Sequence, residues 1–289
     1  MLQQKLTHLE VADNIAFALK ENPLPERYLL ESSNLFITHK IFHLLIAPNP
    51  SPTDLHDLVQ LLTQHEHSIE KNNLEHYNAY LRNLCTILIN AGAKEVTPIL
   101  HQLQRDNLER GYLYQSDQQN KITPSTCLNL VSVALRVQNY DWVRDFLDSH
   151  QERIIGDNES RDFYRFNRAC YLFATGQYEA ALDHIPASSP YLDYHLMARR
   201  LEIKIYFETH SDLLSYKVDS FKMYISRASQ KFLSQELRRK NADFVNLIVQ
   251  IMQSTPGDEN RAQRLSKRIL EKTGVAEQDW LLLKVKELE

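Results

Sequence analysis

A chain of 289 residues is long enough to bury a large core in one or two domains. Its 33 Lys and Arg against 37 Asp and Glu give a net charge of −4, too close to neutral to steer the whole molecule toward nucleic acid. Only 6 Gly occur where average usage of about 7% would give roughly 20. No two of them are close in sequence, so neither a phosphate-cradling loop nor a dinucleotide fingerprint can be formed.

The N-terminus, MLQQKLTHLEVADNIAFALK, is amphipathic but carries Glu10 and Asp13 and has no continuous apolar core. It reads as neither a signal peptide nor a membrane span, and no other run is long and apolar enough to span. Cys85, Cys127 and Cys170 are scattered, each inside an apolar helical run, as expected of reduced thiols buried as small hydrophobes. A soluble, cytoplasmic protein is the expectation.

Punctuation divides the chain into about fourteen helices. Gly92, Gly111, Gly156, Gly176, Gly257 and Gly274 each stand where a predicted helix stops, the position that favours positive φ. No run alternates with period two, so the predicted class is all-α. Asn22-Pro23-Leu24-Pro25 ends the first helix and Pro48-Asn49-Pro50-Ser51-Pro52 the second. Thr53 or Asp54 caps the third. The fourth starts near 71–73, and Tyr77, Tyr80, Leu81, Leu84, Cys85 and Leu88 follow its core-facing template. Ala91-Gly92-Ala93 separates it from a helix over 94–107, and 111–121 is the longest predicted loop.

Thr123-Pro124, a cap followed by proline at the first helical position, restarts the pattern. Three helical hairpins follow. One spans 124–153 and turns at Gln138-Asn139-Tyr140; the next spans 160–185 and turns at Gly176-Gln177-Tyr178; the third spans 191–227 and turns near Thr209-His210-Ser211. The turns are about 38 and 34 residues apart, inside the period range of helical solenoids. A long helix over about 230–254 carries Phe244, Leu247, Ile248, Ile251 and Met252 on one predicted face. Thr255-Pro256-Gly257-Asp258 breaks it, a basic helix follows, and 277–289 forms a terminal helix with Trp280, Leu281 and Val285 inward.

Through Ala169, Gly176, Tyr178 and Ala181, residues 160–227 resemble tetratricopeptide repeats. The segment from Tyr191 to the C-terminus also resembles the end of an uncharacterised bacterial repeat-protein family, with its terminal Trp280-Leu281-Leu282 helix. The resemblance implies an all-α stack of antiparallel hairpins, a tetratricopeptide-like solenoid, over 123–289 with a C-terminal capping helix. Residues 1–122 would form a helical segment that is either irregular or built of degenerate repeats. It also implies a partner peptide in a groove lined by the first helix of each hairpin. That projection puts Leu128, Ser132 and Leu135 on the groove, then Phe166, Cys170 and Phe173, then Arg200, Lys204 and Phe207. Phe166, Phe173, Arg200, Lys204 and Phe207 are the candidate partner-binding residues. A chaperone-tail clamp needs lysine and asparagine where Phe166 and Cys170 stand, so that version fails.

Other chemistry is sparse. His39 and His43 share a helical face at a zinc-site spacing but lack an obvious third ligand, and His65 and His67 face different ways. Residues 222–272 hold a charge of +6 while the remainder is −10. Arg238, Arg239, Lys240, Arg264, Lys267 and Arg268 there are the candidates for a nucleic-acid ridge, the alternative function. Arg261 belongs to the same ridge. Arg165, Arg168, Arg199, Arg200 and Lys204 could gather around a carboxylate or phosphate, or pair with acids such as Asp162, Glu179, Asp183 and Glu202. Tyr206, Phe207, Phe221 and Tyr224 read as core. No nucleophile elbow or metal motif is written, so the expectation is a non-enzymatic interaction module or scaffold without cofactor or metal. An enzyme whose residues gather only in space is a third reading.

Overall fold

The computed structural model describes residues 33–47, 50–115, 120–155, 161–186, 191–272 and 274–289. The predicted first helix, the break at Asn22–Pro25, Pro48, Asn49 and Gly156 lie outside the described residues. Among the described residues every named element is helical. The α-helices are α1 (Ser33–Ile46), α2 (Pro52–His65), α3 (Lys71–Asn90), α4 (Thr97–Glu109), α5 (Pro124–Arg136), α6 (Tyr140–His150) and α7 (Asp162–Ala174). They continue with α8 (Tyr178–His184), α9 (Leu192–Glu208), α10 (Leu214–Arg227), α11 (Gln235–Met252), α12 (Glu259–Glu271) and α13 (Gln278–Lys286). An isolated antiparallel bridge joins Gln115 to Lys121 within the predicted 111–121 loop.

The chain divides into two compact units, Met1–Val143 and Arg144–Glu289. The division falls inside α6, downstream of the expected restart at Thr123, so α5 belongs to the first unit. Thr123 does cap α5, its hydroxyl accepting from the Thr126 amide.

In the first unit, α1 packs on α2 and α3, and α2, α3 and α4 each pack on the next helix. The buried stripe is aliphatic: Ile37 and Ile41 from α1, Leu55, Leu58 and Leu62 from α2, Leu81, Leu84 and Leu88 from α3, Leu100 and Leu103 from α4. The α3 template holds at Tyr77, Leu81, Leu84, Cys85 and Leu88, but Tyr80 is 41% exposed. The α2 cap is Ser51, whose hydroxyl accepts from the Asp54 amide while the Asp54 carboxylate accepts from the Ser51 amide. Asp54 is thus the reciprocal partner of a capping box and not the cap itself.

In the second unit, α7 and α8 form the tightest pair, with Ala169 and Ala181 fully buried where the two helices approach. Both also touch α9; α9 then packs on α10, α10 on α11, and α13 on α11 and α12. The core runs from Leu196 and Ile203 through Phe221, Phe244 and Ile248 to Leu265, Leu281 and Val285. The amide of Gly257 donates to the Leu288 carbonyl at 2.8 Å, holding the end of α13 against the α11–α12 turn. Met252, expected inside, is half-exposed.

The three predicted hairpin turns share one stop. Gln138, Gly176 and His210 all take positive φ. In each turn the next residue's amide reaches back to the last helical turn: Asn139 to Ala134, Gln177 to Leu172, Ser211 to Tyr206, at 2.8 to 3.0 Å. This closes otherwise orphaned helix carbonyls. Gly92 and Gly111 end α3 and α4 in the same way.

Candidate partner-binding cleft

Helix α9 places polar side chains on two sides. Arg200, Lys204 and Glu208, four residues apart, form one stripe; His195, Arg199 and Glu202 form the other. Both sides are organised by a carboxylate held between two cations.

On the first side lie the groove residues expected from the repeat pattern. Arg200 Nε meets one oxygen of Glu277 at 3.1 Å and Lys204 Nζ the other at 2.6 Å. Arg200 also donates to Asn241 Oδ1 at 2.7 Å. Lys204 lies over the Phe173 ring, 4.8 Å from its centroid, and Phe207 packs edge-on to Trp280 at 5.4 Å. Trp280 Nε1 and Lys284 Nζ both donate to Glu208, at 2.7 and 2.8 Å. The structure therefore does bring Phe173, Arg200, Lys204 and Phe207 together, but as the seat of α13. Phe166 is buried against Tyr194 and lies in the core. Glu277 sits at φ 58, immediately before α13. Its burial acts to raise its pKa, but Lys204 and Arg200 outweigh that and hold the carboxyl down at about 2.

The other side of α9 is open. His195, Arg199 and Glu202 face Tyr216, Lys217, Ser220, Phe221 and Tyr224 of α10 across a cleft of about 380 Å³. Phe221 is buried, while Tyr224 is half-exposed and Tyr216 is 66% exposed. At one end the His195 and Tyr224 rings lie 4.9 Å apart. Burial, with Arg199 beside it, lowers the His195 pKa from its ordinary value. Glu202 is held from both sides, by Arg199 Nη1 at 3.1 Å and Lys217 Nζ at 2.7 Å. Lys217 also stands over the Tyr206 ring at 5.4 Å. The sequence reading missed this cleft because it assigned Tyr224 to the core. The signal was present as Tyr216, Ser220 and Tyr224, four apart on α10, opposite His195 and Arg199, four apart on α9.

The basic ridge is largely engaged within its own unit. Arg238 donates to the Ile225, Ser226 and Ala228 carbonyls and so caps the end of α10. Lys240 pairs with Glu236 at 2.7 Å, Arg239 with Asp243 at 3.5 Å and Lys267 with Glu271 at 3.8 Å. Arg268 donates to Gln250, Arg261 to Ser254, and Arg264 is exposed on α12. Of the other arginines, Arg165 donates to the Asp183 carbonyl and Arg168 pairs with Asp148 at 2.8 Å. Of the five cations that could gather, Arg165, Arg168 and Arg199 therefore hold different partners, while Arg200 and Lys204 share Glu277.

Among the described residues no three His, Cys, Asp or Glu converge to hold a metal ion. His39 and His43 bring their Nε2 atoms to 3.1 Å at the exposed side of α1. Burial pushes the Cys85 and Cys170 thiols up to about 12, far from the thiolate a nucleophile requires. No described helix is long and apolar enough to cross a membrane. No protein-family model, curated protein or solved structure matches the chain.

Proposed function

We propose that this chain is a tetratricopeptide-like helical-repeat module that works without catalysis, binding a peptide or protein partner at the α9–α10 cleft. The recurrent turn at Gln138, Gly176 and His210 supports the repeat reading, and three free cysteines accord with work in the cytoplasm. The observation that carries the binding site is the cleft itself. It is a concave space of about 380 Å³ with exposed Tyr216 and Tyr224 beside an arginine and a lysine. Tyrosine and arginine are the residues that concentrate binding energy at protein interfaces, and desolvated rings in a concavity supply the anchor points. The repeat groove on the other side of α9 is a weaker candidate, because Glu277 and Trp280 already fill it.

The test is capture from nuclease-treated lysate on the full chain and on a Tyr216→Ala/Tyr224→Ala variant, with thermal melts of both. A defined protein held by the first and lost from the equally stable second is the expected result. Equal retention would move the site elsewhere. A nucleic-acid role for the exposed face of α12, around Arg264, Lys267 and Arg268, is the second reading. It requires binding that weakens steeply between 50 and 200 mM salt, by roughly tenfold or more for even a few phosphate contacts.

A further inference from the structure

We infer that His39 and His43 form a two-nitrogen chelate for a divalent transition-metal ion, copper(II) or zinc(II), on the outer face of α1. The inference concerns the first unit and does not rest on the interaction-module reading above. Three observations lead to it.

The first is how α1 is seated. Ile37 and Ile41 are buried in the core of the first unit, at 0% and 3% exposure, and hold the helix against α2 and α3. His39 and His43 each follow one of these anchors by two residues, roughly 200° around a helix of 3.6 residues per turn, so both turn away from that core. Four residues apart, they share one face. His43 is exposed and His39 half-buried, which leaves the pair open to an ion from solvent.

The second is convergence. The two Nε2 atoms stand 3.1 Å apart, with the ring centroids at 4.3 Å. The Phe42 ring lies edge-on to His43 at 6.3 Å and braces it. An ion about 2.0–2.1 Å from each nitrogen, the zinc–imidazole bond length, would subtend about 95–102° at that separation. That angle lies between the roughly 90° of square-planar copper and the roughly 109° of tetrahedral zinc, so either ion fits after small ring movements. In the metal-free chain one Nε2–H donates to the other Nε2. The ion takes the place of that proton, which passes to Nδ1 of the same ring or to solvent.

The third is the donor set. Imidazole nitrogen suits zinc and copper and not the hard, oxygen-seeking magnesium or calcium. Among the described residues no third His, Cys, Asp or Glu joins the pair. Water must therefore complete the shell, and the ion is labile, unlike a structural zinc closed by four protein ligands.

The experiment titrates the full chain with copper(II), zinc(II) and, as the hard-ion control, magnesium(II). Calorimetry is run at about pH 7.5, where an ordinary imidazole is neutral. The proteins are the parent, His39→Gln, His43→Gln and His65→Gln/His67→Gln, the last because the chain holds 12 His. The parent should bind copper more tightly than zinc, and magnesium not at all. Either single variant should weaken copper and zinc at least tenfold, while His65→Gln/His67→Gln leaves both unchanged. At ten times the zinc Kd, amide exchange in α1 of the parent should slow about tenfold, because opening the helix breaks the chelate. Both single variants should lack that protection, and α9 to α13 should not acquire it. Copper electron paramagnetic resonance on the parent needs no variant and should show coupling to two imidazole nitrogens. Absence of copper and zinc binding, binding that survives both single variants, or coupling to one nitrogen only would each overturn the inference.

Discussion

The two units are both helical but are held by different means. The first unit has an aliphatic interior supplied by α1 to α4, and a long-range ion pair in it, Arg110 with Glu66, is well exposed. The second has an apolar core as well, but its terminal helix is fixed by charge. Glu277 joins Arg200 and Lys204, and Glu208 joins Trp280 and Lys284; elsewhere in the unit Asp243 joins Lys272 at 2.5 Å. Area-driven packing has no preferred partner, whereas a carboxylate between two cations fixes one register. The second unit therefore has the more specific architecture and the more vulnerable one: losing one acid strands two half-desolvated cations.

That asymmetry can be broken most severely at Glu277. Glu277→Ala should cost about 3–5 kcal/mol, the range for removing one partner of a buried ion pair. The loss should appear in the second unit, as faster amide hydrogen exchange in α9 and α13 with α2 and α3 unchanged. Glu277→Gln keeps acceptor oxygen and should lose less. Protection falling equally in both units would refute the separation. A change in the first unit of comparable size requires a cavity. Leu84, 1% exposed, is a suitable site, and Leu84→Ala should cost about 2–5 kcal/mol, with exchange accelerated in α2 to α4.

These two variants also mark what sequence could convey. Leu84 was legible because its partners in periodicity, Leu81 and Leu88, are a helical turn away. The turns at Gly176 and His210 were legible because a helix stop is written in adjacent residues. Arg200 and Lys204 were legible as groove-side residues of one hairpin, but their partner lies 77 and 73 residues downstream, and no local pattern joins them. Glu277 stood only as the first residue of the predicted terminal helix over 277–289. The same distance argument explains Tyr224: a helical stripe tells which residues share a face, and only the neighbouring helix tells whether the face is covered. It also explains Arg238, whose three carbonyl acceptors belong to the end of another helix.

Acid should separate the units next. Glu277 has its pKa lowered from 4.5 to about 2 by Lys204 and Arg200 against the opposing effect of burial. A depressed carboxyl pKa stabilises the folded state fully above 4.5, and that contribution is lost as pH falls from 4.5 through 2. With the side chain 23% exposed, the loss is about 2–3 kcal/mol at roughly 1.4 kcal/mol per pKa unit, discounted for solvent screening. The first unit responds at higher pH. His101 is buried, bonded to Asn139 at 3.0 Å and edge-on to Trp142, and burial, then Arg105, lowers its pKa below 6.5. Folding there favours the neutral ring, so stability is fully present above 6.5 and declines as pH drops below it. Urea unfolding followed by exchange in each unit should show a loss below pH 6.5 in both, since burial lowers the His195 pKa in the second unit as it does that of His101 in the first, and a further, larger loss in the second unit in strong acid. His101→Gln should remove the loss below pH 6.5 from the first unit and leave the strong-acid loss of the second.

The smallest expected effects carry opposite signs at equivalent positions. Gly176 takes φ 75 with open space where a Cβ would stand, so Gly176→Ala meets no clash but must enter the left-handed region. That strain is about 1–2 kcal/mol, partly offset by the reduced freedom of alanine in the unfolded chain. His210 and Gln138 occupy the same place in their turns at φ 50 and 58 and already bear the strain. His210→Gly in the second unit and Gln138→Gly in the first should each stabilise by up to about 1 kcal/mol, the relief of strain less the added freedom of glycine when unfolded. Thermal melts of the three variants test this directly. If the three turns are one repeated device, the sign must follow the residue type and not the unit. A loss at His210→Gly would mean that its imidazole, and not its backbone, holds the α9–α10 turn, and the cleft would then depend on a side chain outside its own lining.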